Sequence, residues 1–182
     1  QELSTRLDIP FYTRAGYQPY TSEYIQENPN KRYLGYSFYH NVRYQFRYSD
    51  KVYAGLTAEK DAGELFFTGK NRKGYDYYSP YLYIRDIGRI NALALGNYRL
   101  SYGYGLVMNT GFSMGKTATL STLGNKVQGI KKHSSTDEYN YFQGIAGSIR
   151  ITKRLTADAF YSYRTMDGIV DNQFITSIKE DG

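Results

Sequence analysis

Residues Leu34–Tyr48 read LGYSFYHNVRYQFRY. The even positions are Leu34, Tyr36, Phe38, His40, Val42, Tyr44, Phe46 and Tyr48. The odd positions are Gly35, Ser37, Tyr39, Asn41, Arg43, Gln45 and Arg47. One face is almost wholly apolar or aromatic, and the other is polar and carries two arginines. Successive side chains of a strand point to opposite faces, so this alternation predicts a β-strand. Strands of soluble proteins usually run about 5–6 residues, and this alternation lasts 15. At about 3.3 Å per residue, a ribbon of that length crosses a bilayer at a tilt of about 40°.

The period recurs along the chain. Val52, Ala54, Leu56 and Ala58 alternate with Tyr53, Gly55, Thr57 and Glu59. Ile90, Ala92, Ala94, Tyr98, Leu100, Tyr102 and Tyr104 share a parity, with Leu93 and Leu95 softening the contrast. Tyr139, Tyr141, Ile145, Ile149 and Ile151 oppose Asn140, Ser148, Arg150 and Thr152. Leu155, Ala157, Ala159, Tyr161 and Tyr163 oppose Thr156, Asp158, Ser162 and Arg164, with Phe160 as the exception. Leu7–Tyr17 and Tyr77–Ile87 read as weaker strands, and a tail strand starts near Asn172. No helical apolar repeat is sustained anywhere.

The breaks between these segments take turns. Those at Ser49–Lys51, Ile87–Arg89 and Thr152–Arg154 are tight, those near 18–32, 64–74 and 106–138 are long, and one at 165–171 is intermediate. Strict alternation of short and long is what an up-and-down barrel produces, with tight turns on one side and loops on the other. A Greek-key sandwich does not require it. Keeping the apolar faces together places Tyr48 opposite Val52, Asp86 opposite Ile90 and Ile151 opposite Leu155, because a slip of one residue turns every side chain over.

Composition agrees with an ordered β protein. The 182 residues include 22 Tyr and 9 Phe, no Cys and no Trp, with a net charge of +6. The mass is 21.0 kDa, the pI about 9.3 and the mean hydropathy −0.61. Lack of cysteine removes disulfides, thiolate metal sites and cysteine nucleophiles. No stretch reaches the roughly 18 apolar residues of a spanning helix. Low mean hydropathy is compatible with a membrane barrel, whose strands alternate apolar and polar positions. Gln1 opens without a charged-then-apolar leader, so any signal peptide is expected to be already gone.

In such a barrel the apolar face meets lipid and the polar face lines a lumen. Arg43, Arg47, Glu59, Asp61 and Arg99 are the lumen-lining candidates, as charges too costly for hydrocarbon. Arg43 and Glu59 become diagonal neighbours. Such charges select solutes, or they hold the barrel through interior ion pairs. Tyr36, Tyr48, Tyr98, Tyr104, Tyr139 and Tyr163, near strand ends, are the candidates for interfacial aromatic girdles. Basic residues gather in the long connections: Lys31 and Arg32; Lys70, Arg72 and Lys73; Lys116, Lys126, Lys131 and Lys132. They are ordinary solvated loop charges, or they meet anionic phosphates.

Other motifs carry less. Gly111–Thr117 (GFSMGKT) resembles a phosphate loop, but Thr110 stands where a Walker sequence needs its first Gly. Tyr102-Gly103-Tyr104-Gly105 lies on a strand, its glycines reading as bends. Glu59, Asp61 and Glu64 follow no calcium-loop pattern and read as structural rather than as an acid pair. His133, Ser134, Ser135 and Asp137 are close in sequence only, which gives no triad. His40 reads as packed or interfacial. No metal site, cofactor or catalytic set is expected.

The strings GLTAEKDAGELFF (Gly55–Phe67), GYDYYSPYLYIRD (Gly74–Asp86), LALGNYRLSYGYGLVMNTGF (Leu93–Phe112), YFQGIAGSIRIT (Tyr141–Thr152) and ADAFYSYRTMDG (Ala157–Gly168) resemble the barrel region of a family of large Bacteroidetes outer-membrane proteins that often carry an N-terminal helix-hairpin-helix segment. The resemblance implies location and architecture, not an activity. That segment is not seen here, so no DNA-binding role follows. Gly182 is not the terminal aromatic that usually closes a bacterial barrel, and the expectation is a single β-barrel domain or a fragment of about seven or eight strands of a larger one.

The expectation is therefore an all-β, antiparallel up-and-down transmembrane β-barrel in the bacterial outer membrane. It acts as a pore, a transporter component or a scaffold of an envelope complex, with 106–138 as a plug or lid. Its partners are outer-membrane lipid, lipopolysaccharide and other envelope proteins, rather than nucleic acid. The alternative is a soluble secreted β-sheet module that binds glycan or nucleic acid through tyrosines and basic loops.

Overall fold

The computed structural model of the chain describes residues 1–27, 31–69, 71–110, 129–165, 168–171 and 174–178. The protein is all-β. Its strands are β1 (Glu2–Asp8), β2 (Tyr39–Tyr48), β3 (Val52–Lys60), β4 (Tyr77–Ile87), β5 (Ile90–Tyr102), β6 (Met108–Asn109), β7 (Gly129–Lys132), β8 (Phe142–Arg150), β9 (Thr156–Ser162), β10 (Gly168–Asp171) and β11 (Phe174–Ile178). Nine of them form one antiparallel sheet in the order β1-β2-β3-β4-β5-β8-β9, with β6 and β7 pairing β5. The strand order is open among the described residues, so the sheet does not close into a barrel there. β10 and β11 form a separate two-stranded sheet.

The connections alternate as the sequence predicts. Three residues join β2 to β3, two join β4 to β5, and a tight reversal joins β8 to β9. Between them stand the long connections β1–β2, β3–β4 and β5–β8. The expected opposition of Ile151 and Leu155 is found, with the Ile151 N–H donating to the Leu155 carbonyl at 2.9 Å.

The β4–β5 hairpin departs from expectation. Ile87 pairs with Ile90, and Tyr83 with Ala94, whereas the apolar pattern predicts Asp86 opposite Ile90. The cause is the turn. Gly88 at φ +60° allows a two-residue loop with glycine at its first position, a favoured hairpin geometry. The shift of one residue exchanges the two faces of β5.

The chain divides into two compact units. The larger comprises Gln45–Leu56 and the chain from Ser79 on; the smaller comprises Glu2–Tyr44 and Thr57–Tyr78.

In the larger unit the core is Ala92, Ala94, Tyr98, Leu100, Ile130 and Ala146, with Tyr83, Tyr102, Met108 and Phe142 packed against it. Ala94 pairs with Ala146, and Ala146 with Phe160, so this layer lies on one face of β5, β8 and β9. Tyr98 pairs with Lys132 of β7 and with Phe142 of β8, which therefore flank β5 on opposite edges. Gly96 sits at φ +85°, and a Cβ there would lie 2.4 Å from the Pro80 carbonyl oxygen, so β4 can close on β5 only at glycine. The long 106–138 connection returns to the sheet as β6 and β7 at its described ends. Its middle, with the Gly111–Thr117 motif, Lys116 and Lys126, lies outside the described residues, as do Lys70 and Asn172.

In the smaller unit β1 spans Glu2–Asp8, not Leu7–Tyr17. Pro10 cannot donate to a ladder and ends it. β2 starts at Tyr39 rather than Leu34 because Gly35 and Tyr36 bond Gly63 instead (Gly35 N–H to Gly63 O, 2.8 Å; Gly63 N–H to Tyr36 O, 2.9 Å). A 3-10 turn (Ala15–Tyr17) and a short helix α1 (Ser22–Glu27) occupy the β1–β2 connection, where the sequence shows no helical period.

Candidate functional site

The larger unit presents two unlike faces. Leu95 pairs with Ile145 and Leu93 with Gly147. Ile145 pairs with Tyr161, and Ile149 with Ala157. Paired residues share a face, and this one is open: Leu95, Ile145 and Ile149 are 36%, 47% and 50% exposed, while Ala94 and Ala146 on the opposite face are 1% exposed. Across β5, β8 and β9 the open face forms a shallow depression of about 400 Å³ lined by Leu93, Ile145, Ile149, Ala157 and Ala159, among others. Contiguous apolar patches of more than a few hundred Å² are unusual on soluble monomers.

The covered face carries charge as well as core. Tyr53 of β3 has three cations near its ring: Lys132 Nζ at 5.0 Å, the Arg85 guanidinium at 5.6 Å and the Arg47 guanidinium at 6.0 Å from the centroid. Lys132 also donates to the Tyr81 hydroxyl at 3.4 Å, and the Tyr83 hydroxyl donates to the Ile130 carbonyl at 3.0 Å. Arg47 forms an ion pair with Asp50. Arg85 Nε donates to the Asp50 carbonyl at 2.8 Å. The sequence marks Arg47 as a lumen candidate and Lys132 as a loop charge, but Lys132 lies in β7 over the Tyr53 and Tyr81 rings, and the grouping with Tyr53, Tyr81, Tyr83 and Arg85 was not expected. The signal was the shared parity of Tyr81, Tyr83 and Arg85, readable only once the β4–β5 register is known.

Within β5, between the core residues Tyr98 and Leu100, Arg99 Nη2 donates to Asp137 Oδ2 at 3.2 Å. Asp137 Oδ1 accepts the N–H groups of Tyr139 and Asn140, each at 3.0 Å. Burial alone would raise the Asp137 pKa, but these donors and Arg99 hold it below the usual carboxylate range. His133 is fully buried and stacks on Tyr141 at 4.7 Å. Burial first, then the Arg99 charge, push its pKa down to about 4. The His133–Asp137 neighbourhood is thus a knot of stacking and turn-capping.

In the smaller unit the polar face of β2 and β3 gathers Tyr39, Asn41, Arg43, Thr57 and Glu59. Glu59 is buried and hydrogen-bonded to Tyr39. The Asn41 amide donates to the Tyr39 hydroxyl at 2.6 Å, and the Arg6 guanidinium lies 5.4 Å from the Tyr39 ring. Arg43, the expected diagonal neighbour of Glu59, forms no ion pair among the described residues, and Glu59 bonds Tyr39. Asp61 lies just past β3 and is exposed, so it does not join this face. His40 is packed as expected, stacked on Tyr75 at 5.6 Å with Nδ1 2.8 Å from its hydroxyl.

Lys60 was not foreseen. It is fully buried, donating to the carbonyls of Tyr36 (3.2 Å), Phe38 (2.8 Å) and Asp61 (2.8 Å), with Nζ 4.4 Å from the Phe38 centroid. Its sequence signal was a lysine at the parity of Leu56 and Ala58. Those three carbonyls satisfy the ammonium's three donors.

The interfacial candidates separate. Tyr36, Tyr48, Tyr104 and Tyr163 are exposed. Tyr139 lies in the Asp137 turn. Tyr98 is a correction: the β5 register turns it into the core, where it is fully buried and its hydroxyl donates to the Tyr161 carbonyl at 3.0 Å.

No protein-family model, curated protein or solved structure matches the chain.

Proposed function

We propose that this chain is part of the wall of an integral β-barrel in a bacterial outer membrane, acting as a pore, a transporter component or a scaffold of an envelope complex. The observation that carries the reading is the open apolar face of β5, β8 and β9, with core and charge on the opposite face. Hydrocarbon is the medium that makes such a face favourable. In water it would be a standing invitation to aggregate. The alternating short and long connections and the lengths of β4 and β5, 11 and 13 residues, agree with strands that span a bilayer. Lipid and lipopolysaccharide cover the apolar face, and other envelope proteins are the further partners.

The polar face is then the lumen side. In the larger unit Arg47, Tyr53, Arg85 and Lys132 belong to this face, and in the smaller unit Arg43 and Glu59 belong to the polar face of β2 and β3, while Arg99 is paired with Asp137. The mechanism is solute passage or binding along this surface, and no bond chemistry is assigned. The test is conductance across planar bilayers. A pore predicts discrete channels whose ion selectivity moves with Arg85→Ala or Glu59→Ala. Chain that inserts but never conducts leaves the scaffold role. Chain that stays folded and monodisperse without detergent or lipid contradicts the membrane reading.

A further inference from the structure

The connection between β1 and β2 holds an open cleft of about 400 Å³ lined by Gly16, Tyr17, Gln18, Tyr20, Arg32 and Tyr33, among others. Its walls are fixed. The Tyr33 N–H donates to the Gly16 carbonyl at 3.1 Å. The Tyr33 ring lies so close to Gly16 that a Cβ there would be 2.5 Å from it. Tyr17 meets Tyr33 edge-on at 5.2 Å, and its hydroxyl donates to the Gly35 carbonyl at 2.7 Å. Tyr20 is stacked on Tyr24 at 4.8 Å.

Four polar groups of this cleft are unspent. Among the described residues, the Gln18 amide, the Tyr20 and Tyr33 hydroxyls and the Arg32 guanidinium make no hydrogen bond or ion pair. A preformed cleft with aromatic walls and a few convergent polar groups is the usual form of a small-ligand site, and its size is within the usual range of about 300–1,000 Å³. We infer that it binds an acidic saccharide, a hexuronate unit. A pyranose offers a C–H face for tyrosine rings, and its hydroxyls suit the amide and phenols. Its carboxylate matches the guanidinium, which binds such groups in pairs of hydrogen bonds. A nucleic-acid strand calls for a groove with several cations. Arg32 is the one cation among the residues that line this cleft.

The test uses the full chain in detergent micelles, titrated by calorimetry with methyl β-D-glucuronide and methyl β-D-glucoside. The glucuronide should bind saturably and the glucoside more weakly. Arg32→Gln should weaken the glucuronide about tenfold and leave the glucoside unchanged. Tyr20→Ala should weaken both. Both side chains lie in a surface connection, and circular dichroism verifies that the variants fold. A glucuronide that does not saturate, binding indifferent to Arg32→Gln, or tighter binding of oligothymidylate at the same cleft would overturn the inference. Where the glucuronide binds, competition by lipopolysaccharide assigns the sugar to the membrane surface, and its absence assigns it to a soluble polysaccharide. The outcome does not depend on conductance.

Discussion

Leu95 of β5 stands directly opposite Ile145 of β8, with both side chains open to the surroundings and the backs of their strands lined by Ala94 and Ala146. Placed in lipid, this pair occupies the outer wall. Ile145→Arg should then destabilise the chain by about 2–4 kcal/mol in vesicle-based urea unfolding, as for cations on the lipid face of a barrel. On a water-facing sheet the same exposed substitution costs within about 0.5 kcal/mol. The two media thus give separable results from one variant.

Tyr98 tests the core on the other face. Tyr98→Phe removes only the hydroxyl, with its bonds to the Tyr161 carbonyl and to Ser162, and should cost about 1 kcal/mol. Tyr98→Ala also opens a cavity beside Phe142 and should cost about 3–5 kcal/mol. Equal and small losses would place Tyr98 outside the packed layer.

Asp137 separates turn-capping from charge. Asp137→Asn keeps an oxygen for the Tyr139 and Asn140 N–H groups but turns an amide toward Arg99 in a largely buried pair, a loss of about 1–2 kcal/mol. Asp137→Ala loses both and should cost about 1–3 kcal/mol. Urea midpoints of the two variants decide the ranking.

Glu64 gives a pH window. Burial, assisted by Asp76 and Asp61, raises its pKa to about 7 against the Asp61 N–H that lowers it. The folded state keeps a proton there that the unfolded chain has lost. Its contribution is complete below the ordinary carboxylate pKa and fades as pH climbs toward 7. Glu64→Gln should remove that decline from thermal melts across the window, and the carboxyl carbon of Glu64 should titrate near 7 by NMR. His133 works oppositely: with its pKa at about 4, its contribution is whole above the ordinary histidine value and is lost as pH falls toward 4.

Much of the fold was written in the two-residue period. β8 alternates cleanly, β9 does so apart from Phe160, and Ile151 meets Leu155 where the pattern puts them. β5 misled because both of its faces are apolar: Leu93 and Leu95 face out, while Ala92 and Ala94 are covered. Pattern alone cannot choose between two greasy faces, and the Gly88 turn chose. The same ambiguity misplaced Tyr98. The Tyr53–Arg85–Lys132 group was hidden because it joins three strands whose registers depend on that turn. Lys60 was hidden because its charge is met by backbone carbonyls, which no side-chain motif announces.

Where the Ile145 face points can be read directly, since the chain contains no Trp of its own. Single tryptophans placed at Ile149 and Tyr161 on the open face, and at Tyr83 on the covered face, should be compared in vesicles of brominated lipid. Strong quenching at the first two positions and little at the third is the predicted result. Tryptophans at 149 and 161 that ignore the brominated chains and yield instead to aqueous acrylamide would contradict a hydrocarbon-facing wall.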